Sequence, residues 1–130
     1  MTTGSCFCGK VGISYSGEPA KKVLCHCLDC RKISGSTHSV NFLVPEADFV
    51  VSGNLKSISK TADSGNPITS YFCPDCGSTL YREGPSFAGV KIIKAGVLDG
   101  DVLEKGKPEG ELFPKHRVPW QPQMEGAAQM

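Results

Sequence analysis

An excess of charge of either sign is missing from this sequence: 14 Lys and Arg offset 13 Asp and Glu, a formal +1 over 130 residues. That balance supplies no field for holding a polyanion, so nucleic acid is not an expected partner. Long apolar runs are missing too. No window approaches the ~20 apolar residues of a membrane span, and the opening MTTGSCFCGK has no basic stretch running into an apolar one. The expectation is a cytoplasmic protein with neither leader nor membrane partner. Apolar residues, at 39%, are thin for a core that stands by packing alone, and 15 Gly with 9 Pro cut the chain into short pieces. Metal cross-links would supplement such a core.

A 3.6-residue apolar repeat is also absent from nearly the whole chain, because Gly, Pro and β-branched residues interrupt it. Only CLDCRKIS has room for a short helical turn. What stands instead are short runs bounded by turn residues: VGISYS, HSVNFLVP, DFVVSG, PITSYF, STLYREG and GVKIIKAGVL. In the first, Ile13 and Tyr15 alternate with Ser14 and Ser16, the period of a strand with one buried face. A mostly β fold follows, as one domain over residues 1–130, without internal repeat or linker. After Gly106, KPEGELFPKHRVPWQPQMEGAAQM is rich in Pro and turn formers, so an irregular tail, fraying at its end, is expected from about residue 107.

Cysteine, by contrast, is plentiful and clustered. The seven fall as Cys6 and Cys8, then Cys25, Cys27 and Cys30, then Cys73 and Cys76. In a reducing compartment such clusters serve metals or redox chemistry, and an odd total leaves one thiol over in any disulfide scheme. Cys73 and Cys76, with Gly77 to release the turn, aim two thiolates at one cation; Cys6 and Cys8 are the pair available to complete a tetrahedron. Four thiolates leave no open position, as in a structural zinc. Cys25, Cys27 and Cys30 remain, and three protein ligands with a fourth position open is the plan of a catalytic zinc. Thiolates favour zinc over magnesium or calcium, so two zinc ions per chain are expected. His26 lies between two of these cysteines, and in an extended C-H-C its side chain points away from both, which predicts a packing or supporting role. His38 is a candidate to face the catalytic zinc, and His116 reads as a surface residue of the tail.

Taken together, GSCFCGKVGIS, CHCLDCRKISGS, FCPDCGSTLYR and ELFPKHRVPWQPQMEGAAQ resemble the glutathione-dependent formaldehyde-activating enzyme family, which includes centromere protein V, over nearly the whole chain. The resemblance implies a β-tent fold, layered coiled β-sheets around a zinc-bound centre. It implies the same division of ligands, with Cys6, Cys8, Cys73 and Cys76 structural and Cys25, Cys27 and Cys30 catalytic. The sequence departs from the family at Ile33, where an aromatic is frequent, and at His38, where an aromatic or small apolar residue is common.

A free thiol titrates near ~8.5, whereas binding to zinc removes its proton outright. An open zinc position therefore activates an incoming thiol. The implied activity is that of a carbon-sulfur lyase of the S-(hydroxymethyl)glutathione synthase kind, joining or parting glutathione, or a similar small thiol, and an electrophilic carbon such as formaldehyde. The expected catalytic set is Cys25, Cys27 and Cys30 with His38 as general acid. Arg31 and Lys32, next to the ligands in sequence, are expected to bind substrate carboxylates, with Arg82, Lys91 and Lys94 as further candidates. A homodimer is compatible with this reading. Two other functions fit the same residues. One is a non-catalytic zinc-stabilised module that binds a protein, which explains the closed site better than the open one. The other is a thiol-dependent enzyme of specialised metabolism acting on a larger electrophile.

Overall fold

The computed structural model describes residues 1–130 and is mostly β. Strands β1 (Thr2–Ser5), β2 (Gly12–Tyr15) and β5 (Phe49–Ser52) form a three-stranded antiparallel sheet in the order β1-β2-β5. The second sheet has eight strands: β3 (Lys21–Cys25), β4 (Ser39–Pro45), β6 (Lys56–Thr61), β7 (Pro67–Phe72), β8 (Thr79–Glu83), β9 (Val90–Lys94), β10 (Gly110–Leu112) and β11 (Ala128–Gln129). Its order is β11-β10-β3-β4-β9-β8-β7-β6, antiparallel except where β10 lies parallel to β3 and to β11. Helix α1 spans Leu28–Ser34, inside the one segment with helical room, and α2 spans Val102–Lys105.

Alternation along the large sheet assigns two jobs to two faces. Phe42 and Val44 of β4, Tyr81 of β8 and Ile93 of β9 point toward the small sheet and pack with Ile13 and Tyr15 of β2. Phe42, Val44 and Ile93 are fully buried, and each such side chain contributes about 1.5–3 kcal/mol of burial. The intervening residues face the other way. Register places Cys25 opposite Ser39, Val23 opposite Asn41, Asn41 opposite Lys94 and Leu43 opposite Ile92. Leu112 of β10 stands opposite Cys25, and Arg82 of β8 opposite Ile92. This second face lines the cavity described below.

Most of residues 107–130 is irregular, as expected, but the end does not simply fray. That segment supplies β10 and β11, which extend the sheet beyond β3. The physical reason is Glu111, fully buried on β10. A buried carboxylate must find donors, and its donors come from the segment that the Pro and Gly content makes look disordered. Gln129 Nε2 donates to it at 2.7 Å, the Met124 N–H at 3.1 Å and Arg117 Nη2 at 3.2 Å. His26 Nε2, also fully buried, lies 2.7 Å from its Oε1.

Burial by itself would raise the Glu111 pKa, but the Gln129, His26, Met124 and Arg117 contacts outweigh it and hold the carboxyl down at about 2, against an ordinary 4.5. A depressed folded-state value stabilises the protein above the unfolded pKa and loses that stabilisation as pH falls through the folded one. Glu111→Ala is therefore expected to lose about 3–5 kcal/mol at neutral pH, read by urea denaturation. The gap between the variant and the native protein should narrow as pH is lowered from 4.5 toward 2; a gap independent of pH would contradict an ionised Glu111.

Candidate metal centres and the cavity between the sheet and its roof

Cys6 and Cys8 lie in the turn between β1 and β2, and Cys73 and Cys76 in the turn between β7 and β8. Each turn closes on a glycine in the left-handed region, Gly9 at φ 82 and Gly77 at φ 79, a conformation that costs other residues a steric penalty. In both, a backbone N–H four or three residues on returns to the first cysteine, Gly77 N–H to the Cys73 carbonyl at 2.9 Å and Gly9 N–H to that of Cys6 at 3.1 Å. A register shift between Tyr71 and Phe72, where β7 meets β8, precedes the second turn and re-aims it. The four sulfurs lie within 4.8 Å of one another.

Their spacing discriminates between bonding schemes. Cys6 Sγ to Cys8 Sγ is 3.6 Å and Cys8 Sγ to Cys73 Sγ is 3.7 Å, far beyond the ~2.05 Å of a disulfide. Four thiolates ~2.3 Å from a tetrahedral zinc have edges of about 3.8 Å. The donor set fits such an ion. Without one, the thiols compete for charge: hydrogen bonds from Ser78 lower Cys76 to about 5, while for Cys8 the Lys10 N–H works against burial and its sulfur neighbours, which carry it to about 12. Several negative charges coexist here only with a cation among them.

The second cluster is local. Cys25 ends β3, Cys27 is the N-cap of α1, its Sγ accepting the Cys30 N–H at 3.2 Å, and Cys30 sits in the first turn. Three sulfurs again fall within 4.8 Å, so the cluster has one donor fewer than a closed tetrahedron. Hydrogen bonds from Cys25 and Cys27 lower Cys30 to about 2, with the nearby Lys94 charge assisting, and Cys25 is raised in turn by Cys27 and Cys30.

These three cysteines line a cavity of about 220 Å³. Its floor is the second face of the large sheet, and its roof is the loop from Ala62 to Asn66 with Phe87 and Phe113. Asp29 on α1 latches the roof: its carboxylate accepts the Asp63 N–H at 2.8 Å and Lys60 Nζ at 3.2 Å. Phe113 has φ 53, a conformation uncommon for a bulky residue, and strain of this kind concentrates at functional sites. Two cations belong to the lining. Arg82, buried, donates through Nε to Ser70 Oγ at 2.9 Å and brings Nη1 to 4.0 Å from Cys30 Sγ. Lys94 donates to Asn41 Oδ1 at 2.7 Å; burial lowers its pKa even though the Cys30 charge works in the other direction.

The remaining residues singled out in the sequence fall elsewhere. Arg31 and Lys32 are exposed on α1 and do not line this cavity, whereas Arg82 and Lys94 do. Lys91 is held between Glu83 and Glu46. His38 opens onto a separate cleft with Ser34, Ser78 and Thr79, and its Nδ1 is engaged by Thr37 Oγ1 at 2.8 Å and Gln121 Nε2 at 3.1 Å. Burial and the neighbouring His26 lower its pKa. His26 supports the site from behind, between the cysteines and Glu111, and His116 is half-buried in the turn after β10. Asp29, Asn41 and Leu43 were not singled out by motif; only the alternation of β4 hints at the last two.

A layered β protein with one closed thiolate cluster and one thiolate cluster facing a cavity is defined by this geometry. The chain belongs to the glutathione-dependent formaldehyde-activating enzyme family, whose profile matches residues 1–116. A relative from Emericella nidulans, provisionally named as such an enzyme, is 29% identical over 103 residues, covering 73% of this chain and 52% of its own length. One from Penicillium rubens, with the same provisional name, is 29% identical over 110 residues, covering 82% and 55%. The chain thus spans about half the length of these curated relatives. The crystal structure of a Rhodobacter sphaeroides protein shares the fold, with TM-score 0.59, 21% identity and coverage of 75% of this chain and 88% of that one.

The two clusters differ in what they connect. Cys8 and Cys73 are 65 residues apart in sequence, so ion binding there joins distant segments and its free energy is folding free energy. Cys73→Ser is expected to lower the melting temperature by ~10 °C or more, and Cys27→Ser by much less. Equal destabilisation in thermal melts would contradict this division.

Proposed function

We propose that this chain is a zinc-dependent carbon-sulfur lyase that makes or breaks the bond between a thiol, glutathione or one like it, and an electrophilic carbon such as that of formaldehyde. The observation that carries the reading is the three-cysteine cluster, one donor short of closure, placed on the wall of a mostly apolar cavity beside two cations. Family membership supports the same chemistry. A zinc ion held by Cys25, Cys27 and Cys30 would supply a position at which an incoming thiol is kept deprotonated, and Cys6, Cys8, Cys73 and Cys76 would hold a second, structural ion.

The chain's own residues do the rest. The roof loop is held by Asp29, and the apolar lining strengthens charge interactions inside the cavity. Addition of R–SH to a carbonyl moves the thiol proton to oxygen and forms RS–C–OH, with no change of oxidation state overall. Negative charge develops on that oxygen, and Lys94, fixed by Asn41, is the cation placed to meet it. Arg82, tied to Ser70, offsets the charge of the cysteine sulfurs. Thiols kept reduced for this purpose suit a cytoplasmic setting.

Zinc-loaded protein is expected to accelerate exchange between glutathione, formaldehyde and S-(hydroxymethyl)glutathione, followed by NMR line shapes. Cys27→Ser should abolish the acceleration, and Lys94→Met should lower kcat by about 100-fold or more. An acceleration indifferent to Lys94 would remove that residue from the mechanism, and none in the native protein would end the reading.

A further inference from the structure

The cavity is larger and less polar than a one-carbon electrophile needs. The apolar part of its lining, beside Asn41, Arg82, Lys94 and the roof loop, includes Val23, Leu43, Ile68, Phe87, Ile92 and Leu112. An apolar cavity of about 150 Å³ accepts benzene, so about 220 Å³ has room for one aromatic ring and the carbon that bears it.

The arrangement along β4 is ordered. Ser39 stands opposite Cys25, Asn41 opposite Lys94, and Leu43 opposite Ile92. Each step of two residues advances about 6.5 Å on the same face. Moving along the cavity floor from the cysteines, a bound molecule meets sulfur, then a cation, then hydrocarbon. Asp29, the carboxylate adjoining Cys30 in sequence, is engaged by Lys60 and the Asp63 N–H.

Resting on the site reading above, we propose that the carbon joined to sulfur here carries an apolar substituent about the size of one aromatic ring, as in the adduct of a thiol with an aryl aldehyde. Sulfur lies at the cysteines, the adduct hydroxyl at Lys94, and the ring between Leu43, Ile92 and Ile68. The S–H and the carbonyl π bond break, the S–C and O–H bonds form, and no oxidant or reductant takes part.

The test compares two thiols by isothermal titration into zinc-loaded protein: benzyl mercaptan, which places a phenyl ring one carbon from sulfur, and 2-mercaptoethanol, which does not. Benzyl mercaptan is expected to bind at least ~10-fold more tightly, the scale of burying one ring. Leu43→Trp, which fills the apolar end, and Ile68→Glu, which charges it from another strand, should each erase that preference and leave 2-mercaptoethanol unchanged; thermal melts identify the variants that fold. Equal affinities in the native protein, or a preference surviving in both variants, overturns the proposal. Binding of neither thiol overturns it together with the site reading. Turnover of glutathione with formaldehyde tests that site reading separately, since the ring preference is read in binding alone.

Discussion

Strand β4 is covered on both of its faces, and that constraint organises the molecule. Phe42 and Val44 complete the core against the small sheet, while Asn41 and Leu43 belong to the cavity floor. A strand that serves two interiors cannot slip its register by one residue without exchanging them: Asn41 would enter the core, and Phe42 would fill the cavity. The core's packing therefore also fixes which side chains stand beside the cysteines. Lys94 and Ile92 inherit their places through β9, and Val23 and Cys25 through β3.

Two polar devices hold what this modest core does not. The Cys6, Cys8, Cys73 and Cys76 cluster sits at the edge of the core, with Cys6 and Cys73 buried, and joins the first turn to the middle of the chain. Glu111 does the same for the C-terminal segment, gathering Arg117, Met124 and Gln129 around one carboxylate and, through His26, fixing the loop between Cys25 and Cys27 from behind. Both replace apolar area by directed contacts, and both fail sharply when one partner is removed, because a buried charge left unpaired costs more than a lost apolar contact.

Much of this was legible in the sequence, and the losses have physical causes. The cysteine spacing separates the two clusters, since thiolate geometry is local, and the six quoted runs each contain a strand. β10 and β11 escaped notice because three residues and two residues carry no period, and because a strand held by a buried Glu reads as polar. β6 is exposed along its whole length and offers no apolar alternation. For the same reason Asn41, Arg82 and Lys94 look like solvent-facing positions: alternation shows that a residue points away from the core, but not whether water or a second interior lies there. Arg31 and Lys32 were favoured over Arg82 and Lys94 by nearness in sequence, which on a helix of one or two turns sends successive side chains to different sides.

Charge ties the cavity to its chemistry. Three thiolates around one divalent cation would leave about one negative charge, which Arg82 and Lys94 face from the cavity lining. The apolar walls strengthen the attraction of these two cations for an anion such as a thiolate. In the proposed reaction the negative charge would move from the thiolate sulfur to the carbonyl oxygen rather than appear anew, and Lys94, one strand step beyond the cysteines, lies along that direction. The proposed chemistry is thus a transfer of charge within one bound molecule, and an apolar group past the oxygen would add no charge to the remaining space.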